Sequence, residues 1–216
     1  MTYAELIAKI QVWWESDETA FLAEFDTFIE FAEKRIYRSV DLNTARKEDA
    51  TVVITSSQAT VTIPTEVVTL HSVSTLVGGN RTLLEQKDLS YLDDYAPDRT
   101  ITGVPKYYAW YDDVTLFLAP TPNTATAAGT LALSYTYRPT QLSGANTTTW
   151  LSLNTPDLLL YAVMLEVLTF EKAEQDTIAD YTAKYQQALQ AVVLEENLRN
   201  RGDSYRSGEI KMGATK

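Results

Sequence analysis

The chain has 216 residues, 45% of them apolar and 22% charged, which is ample for a hydrophobic core in one or two compact domains. It contains no cysteine, so disulfides, thiolate metal sites and cysteine nucleophiles are excluded. A net charge of −11 makes it a poor monomeric ligand for nucleic acid, because such a grip depends on Lys and Arg neutralising phosphates.

The opening MTYAELIAKIQVWWESD has no basic leader, and Glu5 and Lys9 interrupt any apolar run, so a signal peptide is not expected. Tyr3, Leu6, Ile7, Ile10, Trp13 and Trp14 recur at helical spacing, and Thr2 with Glu5 forms a T-x-x-E capping box. Ser16-Asp17 breaks that pattern. A second helix follows, with Phe21, Leu22, Phe25, Phe28, Ile29, Ala32 and Ile36 on its stripe. Its last turns hold Lys34, Arg35 and Arg38, where positive charge suits the helix dipole. From Ala50 the texture changes: TVVIT and ATVTIP read as two short strands joined by a tight polar turn. VVTLHSVSTLV is a third strand, ended by Gly78-Gly79-Asn80. The polar stretch between Leu84 and Val104 reads as a long loop with a helical turn. PKYYAWY and VTLFLAP form a hairpin about Asp112-Asp113. In TLALSYTYRP, Leu131, Leu133, Tyr135 and Tyr137 alternate onto one face, the mark of a half-buried strand. Helix returns with Thr155 as N-cap, Pro156 in the first position and Asp157 at the positive end. A last helix carries Ile178, Tyr181, Tyr185, Ala188, Leu189 and Val192. RGDSYRSGEIKMGATK has no periodicity and reads as a flexible tail.

The expected architecture is α+β. N-terminal helices (1–45) and C-terminal helices (150–200) form a bundle, with an inserted antiparallel β-rich domain at 50–145 and the flexible tail at 201–216.

Candidate chemistry is thin. His71 is the only histidine and sits amid strand alternation, so it reads as structural. Asp93-Asp94 and Asp112-Asp113 are adjacent pairs without calcium-loop spacing, which points to solvated turns. No phosphate-binding glycine loop or nucleophile elbow is present. The sequence therefore suggests neither an enzyme nor a cofactor. Tyr107, Tyr108, Trp110 and Tyr111 leave open a β-sandwich module that stacks on carbohydrate, and Asp93, Asp94 or Asp112 a carboxylate-dependent hydrolase.

Leu158 to Phe170 is too short for a membrane crossing, which takes about 20 apolar residues, and Glu166 adds further cost. A helix apolar on every side must be buried on every side. Leu158, Leu160, Tyr161, Leu165 and Leu168 are therefore the candidate core and subunit-interface residues.

The order of these features resembles the head-to-tail adaptor proteins of short-tailed bacteriophages. The similarity is carried by DTFIEFAEKRIYRSVDL, GVPKYYAWYDDVTLFLAPTPN, LSYTYRPTQLS and WLSLNTPDLLLYAVMLEVLTF, in that succession. It implies a virion structural protein at the head–tail junction, assembled in the host cytoplasm as a ring, usually twelvefold, beneath the portal. Such a ring extends the channel through which double-stranded DNA passes without sequence preference, and it docks the tail nozzle. The resemblance also implies that the C-terminal tail reaches into the portal, here with Arg199, Arg201, Tyr205, Arg206, Ile210 and Lys211. YAVMLEV departs from the smaller, glycine-containing helix of that pattern, as does the pair Trp13-Trp14.

Overall fold

Thr2 and Glu5 close the first helix as a reciprocal cap. The Thr2 N–H donates to Glu5 Oε2 at 2.8 Å and the Glu5 N–H to Thr2 Oγ1 at 3.3 Å. This helix is α1 (Tyr3–Trp14) in a computed structural model that describes residues 1–14 and 19–200, apart from the side chains of residues 19, 20 and 200. The predicted break at Ser16-Asp17 and the tail at 201–216 lie outside the described residues. The protein is mixed α+β and divides into two units: Met1–Thr44 with Pro139–Lys216, and Ala45–Arg138.

In the helical unit the second predicted helix is two: α2 (Thr19–Ala23) and α3 (Phe25–Ser39). The Glu24 N–H reaches back only to the Phe21 carbonyl at 3.2 Å, a three-residue closure that interrupts the α-ladder. The break lets Phe21 meet Phe25 edge-on, with ring centroids 5.0 Å apart, in a cluster that also holds Phe28. No glycine or proline announces it. Of the predicted stripe, Phe21, Phe25, Phe28, Ile29, Ala32 and Ile36 are buried, whereas Leu22, on the short α2, is exposed.

Residues 150–170 form α6 (Trp150–Asn154) and α7 (Pro156–Phe170). Thr149 caps α6 in a capping box with Ser152. The Thr155 hydroxyl does not cap α7, as its position suggested; it donates to the Leu151 carbonyl at 3.2 Å. Pro156 does open α7. α3 packs against α7, and so do α6 and α8 (Gln175–Asn200). On α8, Tyr185, Ala188, Val192 and Glu196 recur at helical spacing and are buried.

The second unit is a seven-stranded curled sheet with the order β1-β9-β3-β4-β6-β7-β2. Its strands are β1 (Arg46–Val53), β2 (Thr60–Thr62), β3 (Val67–Val77), β4 (Asn80–Gln86), β6 (Tyr107–Asp112), β7 (Thr115–Ala119) and β9 (Thr130–Tyr137). β5 (Thr102–Gly103) and β8 (Thr121–Pro122) make a small parallel ribbon, while α4 (Leu89–Tyr95) and α5 (Thr124–Ala127) complete the unit. Gly78 and Gly79 both have positive φ, which a two-residue turn between β3 and β4 needs. Leu131, Leu133 and Tyr135 are buried, with Leu116, Leu118 and Tyr108 in the same core.

Three sequence expectations change here. The first two strands do not pair as neighbours: β1 pairs with β9 and β2 with β7. The eight residues of β9 offer β1 a longer backbone edge than the three-residue β2 could. Asn80–Gln86 is a strand although its residues are mostly exposed, because one edge pairs with β3. The sheet is not wholly antiparallel, since β4 pairs with β6 in parallel.

Gly129 precedes β9 and lies against the backbone of β3. A Cβ there would sit 2.1 Å from the Leu76 carbonyl oxygen, whereas a Cβ at Gly144 would meet nothing within 4 Å. Gly129→Ala is expected to cost about 1–3 kcal/mol in a denaturant melt, and Gly144→Ala close to nothing.

Candidate interaction surfaces

α7 reaches burial within its own unit. Leu158 and Leu168 are fully buried and Leu160 and Leu165 are 6% exposed. Tyr161 lies between Trp13 of α1, at 6.5 Å, and Tyr181 of α8, at 6.4 Å. The exposed residues of α7 are Asp157, Thr169 and Phe170, and Phe170 packs edge-on against Phe28 at 5.3 Å. The five candidates are thus brought together in one core. What α7 turns to solvent is small.

Glu166 marks the polar edge of that core. It pairs with Arg35 of α3, its side chain 15% exposed. Beside the pair, Phe31, Lys34, Arg38 and Ser39 line an open groove of about 500 Å³. Lys34 is held by Glu30, while Arg38 is exposed and makes no ion pair among the described residues. Phe31, 52% exposed, supplies an apolar wall. An exposed aromatic beside several cations is the composition that protein interfaces favour. It is also a cationic face on a strongly acidic chain.

Two buried carboxylates that the sequence reading passed over organise the unit's connections. Glu33, 3% exposed, accepts the Leu142 N–H at 3.1 Å and the Thr149 hydroxyl at 3.2 Å. It thereby fastens the segment entering α6 to α3. Glu196, also 3% exposed, accepts the Asn43 N–H at 3.1 Å and pairs with Arg199 at 2.7 Å. The available signal was a charge at a stripe position, as with Glu33 beside Ala32.

In the β-rich unit the aromatic run splits by strand alternation. Tyr108 is in the core, Trp110 packs half-buried against it, and Tyr111 is 61% exposed. Tyr107 stands with Tyr91 and Tyr95 of α4, at 5.4 and 4.9 Å. No single face presents all four. Asp93 pairs with Arg99, Asp94 is exposed, and Asp112 accepts the Val114 N–H at 2.9 Å to close its turn. His71 is exposed and bonds Thr136 Oγ1 at 2.7 Å. Among the described residues no cluster of carboxylate and histidine side chains is placed to hold a metal ion, and no helix is long and apolar enough to cross a membrane. Arg199 is engaged by Glu195 and Glu196. Arg201, Tyr205, Arg206, Ile210 and Lys211 lie outside the described residues.

The described residues thus form two compact units, with Phe31, Arg38, Tyr111 and Asp113 among the groups that face solvent. Comparison with protein families identifies the chain. Residues 1–210 match the family model described as SU10 adaptor protein, and the chain belongs to that family. It is a phage structural adaptor of the virion. No curated protein matches it.

Burial pushes the Glu33 carboxyl up to about 7 from its ordinary 4.5, against the pull of its two hydrogen bonds. The folded chain then holds a proton that the unfolded chain releases between those values. The contribution to stability is fully present below pH 4.5 and is lost as pH rises through 7. In Glu33→Gln the amide oxygen can accept the Leu142 N–H and the NH2 can donate to a reoriented Thr149 hydroxyl, and the variant is expected to stabilise the chain by about 1–3 kcal/mol at pH 8, with little gain near pH 4, in thermal melts.

Proposed function

We propose that this chain is the portal-binding head-to-tail adaptor of its virion. The family match over residues 1–210 carries the reading. In it, the N- and C-terminal helices act as one bundle that assembles, as a ring of about twelve copies, beneath the portal. The β-rich unit extends the channel and meets the tail nozzle, and residues 201–216 engage the portal. The role is structural, with no catalytic step and no cofactor.

Two features support it. The net charge of −11 suits a channel wall that holds phosphate weakly, so that DNA slides rather than sticks. The Phe31–Arg38 groove offers the Arg38 guanidinium to an acidic neighbour, which a second copy of this chain would supply. The subunit contact then comes from this groove more than from α7, whose leucines are covered by their own chain.

Electron microscopy of the protein mixed with its cognate portal is expected to show an added ring. Removing residues 201–216 is expected to abolish capture by portal rings while leaving circular dichroism unchanged; retained capture overturns the role of the tail. Arg38→Glu is expected to weaken ring assembly at least about tenfold at low salt while lowering stability in a melt by only about 1 kcal/mol, the helix-dipole cost at an exposed last-turn position.

A further inference from the structure

β4 serves two neighbours in turn. Asn80–Leu84 pair antiparallel with Val73–Val77 of β3, and then Glu85 and Gln86 pair in parallel with Tyr107 and Tyr108 of β6. The Lys87 N–H still donates to the Tyr108 carbonyl at 2.9 Å, and after it the chain leaves the sheet and enters α4. β3 and β6 both continue past that point. Counting the two registers onward sets Val67 of β3 roughly level with Asp112 of β6, with no strand between them. Both strands are paired on their far sides, β3 with β9 and β6 with β7. Irregularities at Val67–Thr69, Leu70–Ser72 and Trp110–Asp112 interrupt the regular alternation, and the Val67 N–H donates to the Pro64 carbonyl at 3.2 Å; the backbone groups of the remaining residues that point away from β9 and β7 face the gap.

The gap is an open cleft of about 630 Å³. Thr65–Val68 form one wall and Trp110–Val114 the other, with Arg138 at the rim. Trp110, which lines the cleft and packs half-buried against the core, gives it an apolar patch together with Val67 and Val114. Three carboxylates, Glu66, Asp112 and Asp113, border it against one guanidinium. Glu66 is engaged by Lys47 and the Tyr135 hydroxyl, and Asp112 by its own turn, but Asp113 is exposed and has no ion-pair partner among the described residues.

We propose that this gap is a docking slot for an extended segment of a partner protein, which enters as an added strand between β3 and β6 and brings basic side chains to Asp112 and Asp113. Unpaired strand edges recruit backbone, and the acidic rim selects the charge of what is recruited. A segment running in the direction of β4 would satisfy both edges at once. This goes beyond the adaptor reading: it concerns a site within the β-rich unit and holds whether or not the chain forms a ring.

The test uses the full chain and three synthetic peptides: alternating valine and lysine, the same peptide N-methylated at alternate backbone positions, and alternating valine and glutamate. Calorimetry and amide hydrogen exchange are read together. The valine–lysine peptide is expected to bind and to slow exchange within residues 67–72 and 109–112. N-methylation is expected to weaken binding by about tenfold or more, because the ladder bonds are lost. The glutamate peptide is expected not to bind, and Asp113→Asn to weaken the lysine peptide several-fold without altering the melt. Failure of the lysine peptide to bind, equal binding of the N-methylated peptide, or protection elsewhere each overturns the proposal.

Discussion

The helical unit depends on burying a helix that has almost no wet face. α7 puts nine apolar side chains out of water, and burial of each leucine, valine or methionine among them is worth about 1.5–3 kcal/mol at best. α3 and α8 supply most of the cover, with α1 and α6 completing it. The requirement is topological as well as energetic. α3 ends at Ser39 and α7 begins at Pro156, so the two sides of this core are made by segments on either side of the β-rich insertion. Closing that long loop is entropically unfavourable, and a continuous apolar face is what offsets it.

Polar groups at this core act as fasteners rather than as chemistry. Glu166 and Arg35 join α7 to α3 where the apolar surface ends. Glu33 fastens the segment before α6, and Glu196 fastens the segment after α3, each through a backbone N–H. A buried carboxylate is costly alone but tolerable when donors converge on it. Here the donors come from connecting segments, whose backbone would otherwise be unsatisfied. The same carboxylates thus fix where those segments lie.

The β-rich unit is governed by a different constraint. Its strands alternate cleanly enough to define an inside, but β4 is too short to serve both neighbours along their length. A sheet that curls around a core can leave such a seam when a half-buried tryptophan lines it. In an adaptor that must hold other proteins, an open edge with a charged rim is a means of attachment rather than a defect.

Much of this was legible from residue spacing. The T-x-x-E cap, the stripe of α3, the all-round apolar α7, the alternation of β9 and the Gly78-Gly79 turn are local patterns, and the structure realises each of them. Local physics fixes them because a helix or strand reveals its buried face through its own period. The sequence also determined the succession of segments that pointed to a phage adaptor. Only the tertiary structure decided that β1 seeks β9, that Asn80–Gln86 is a strand, that the second helix breaks at Glu24 so that Phe21 folds onto Phe25 and Phe28, and that Glu33, Glu166 and Glu196 have partners far along the chain. Those outcomes turn on which distant surfaces meet, and no residue's neighbours in sequence carry that information.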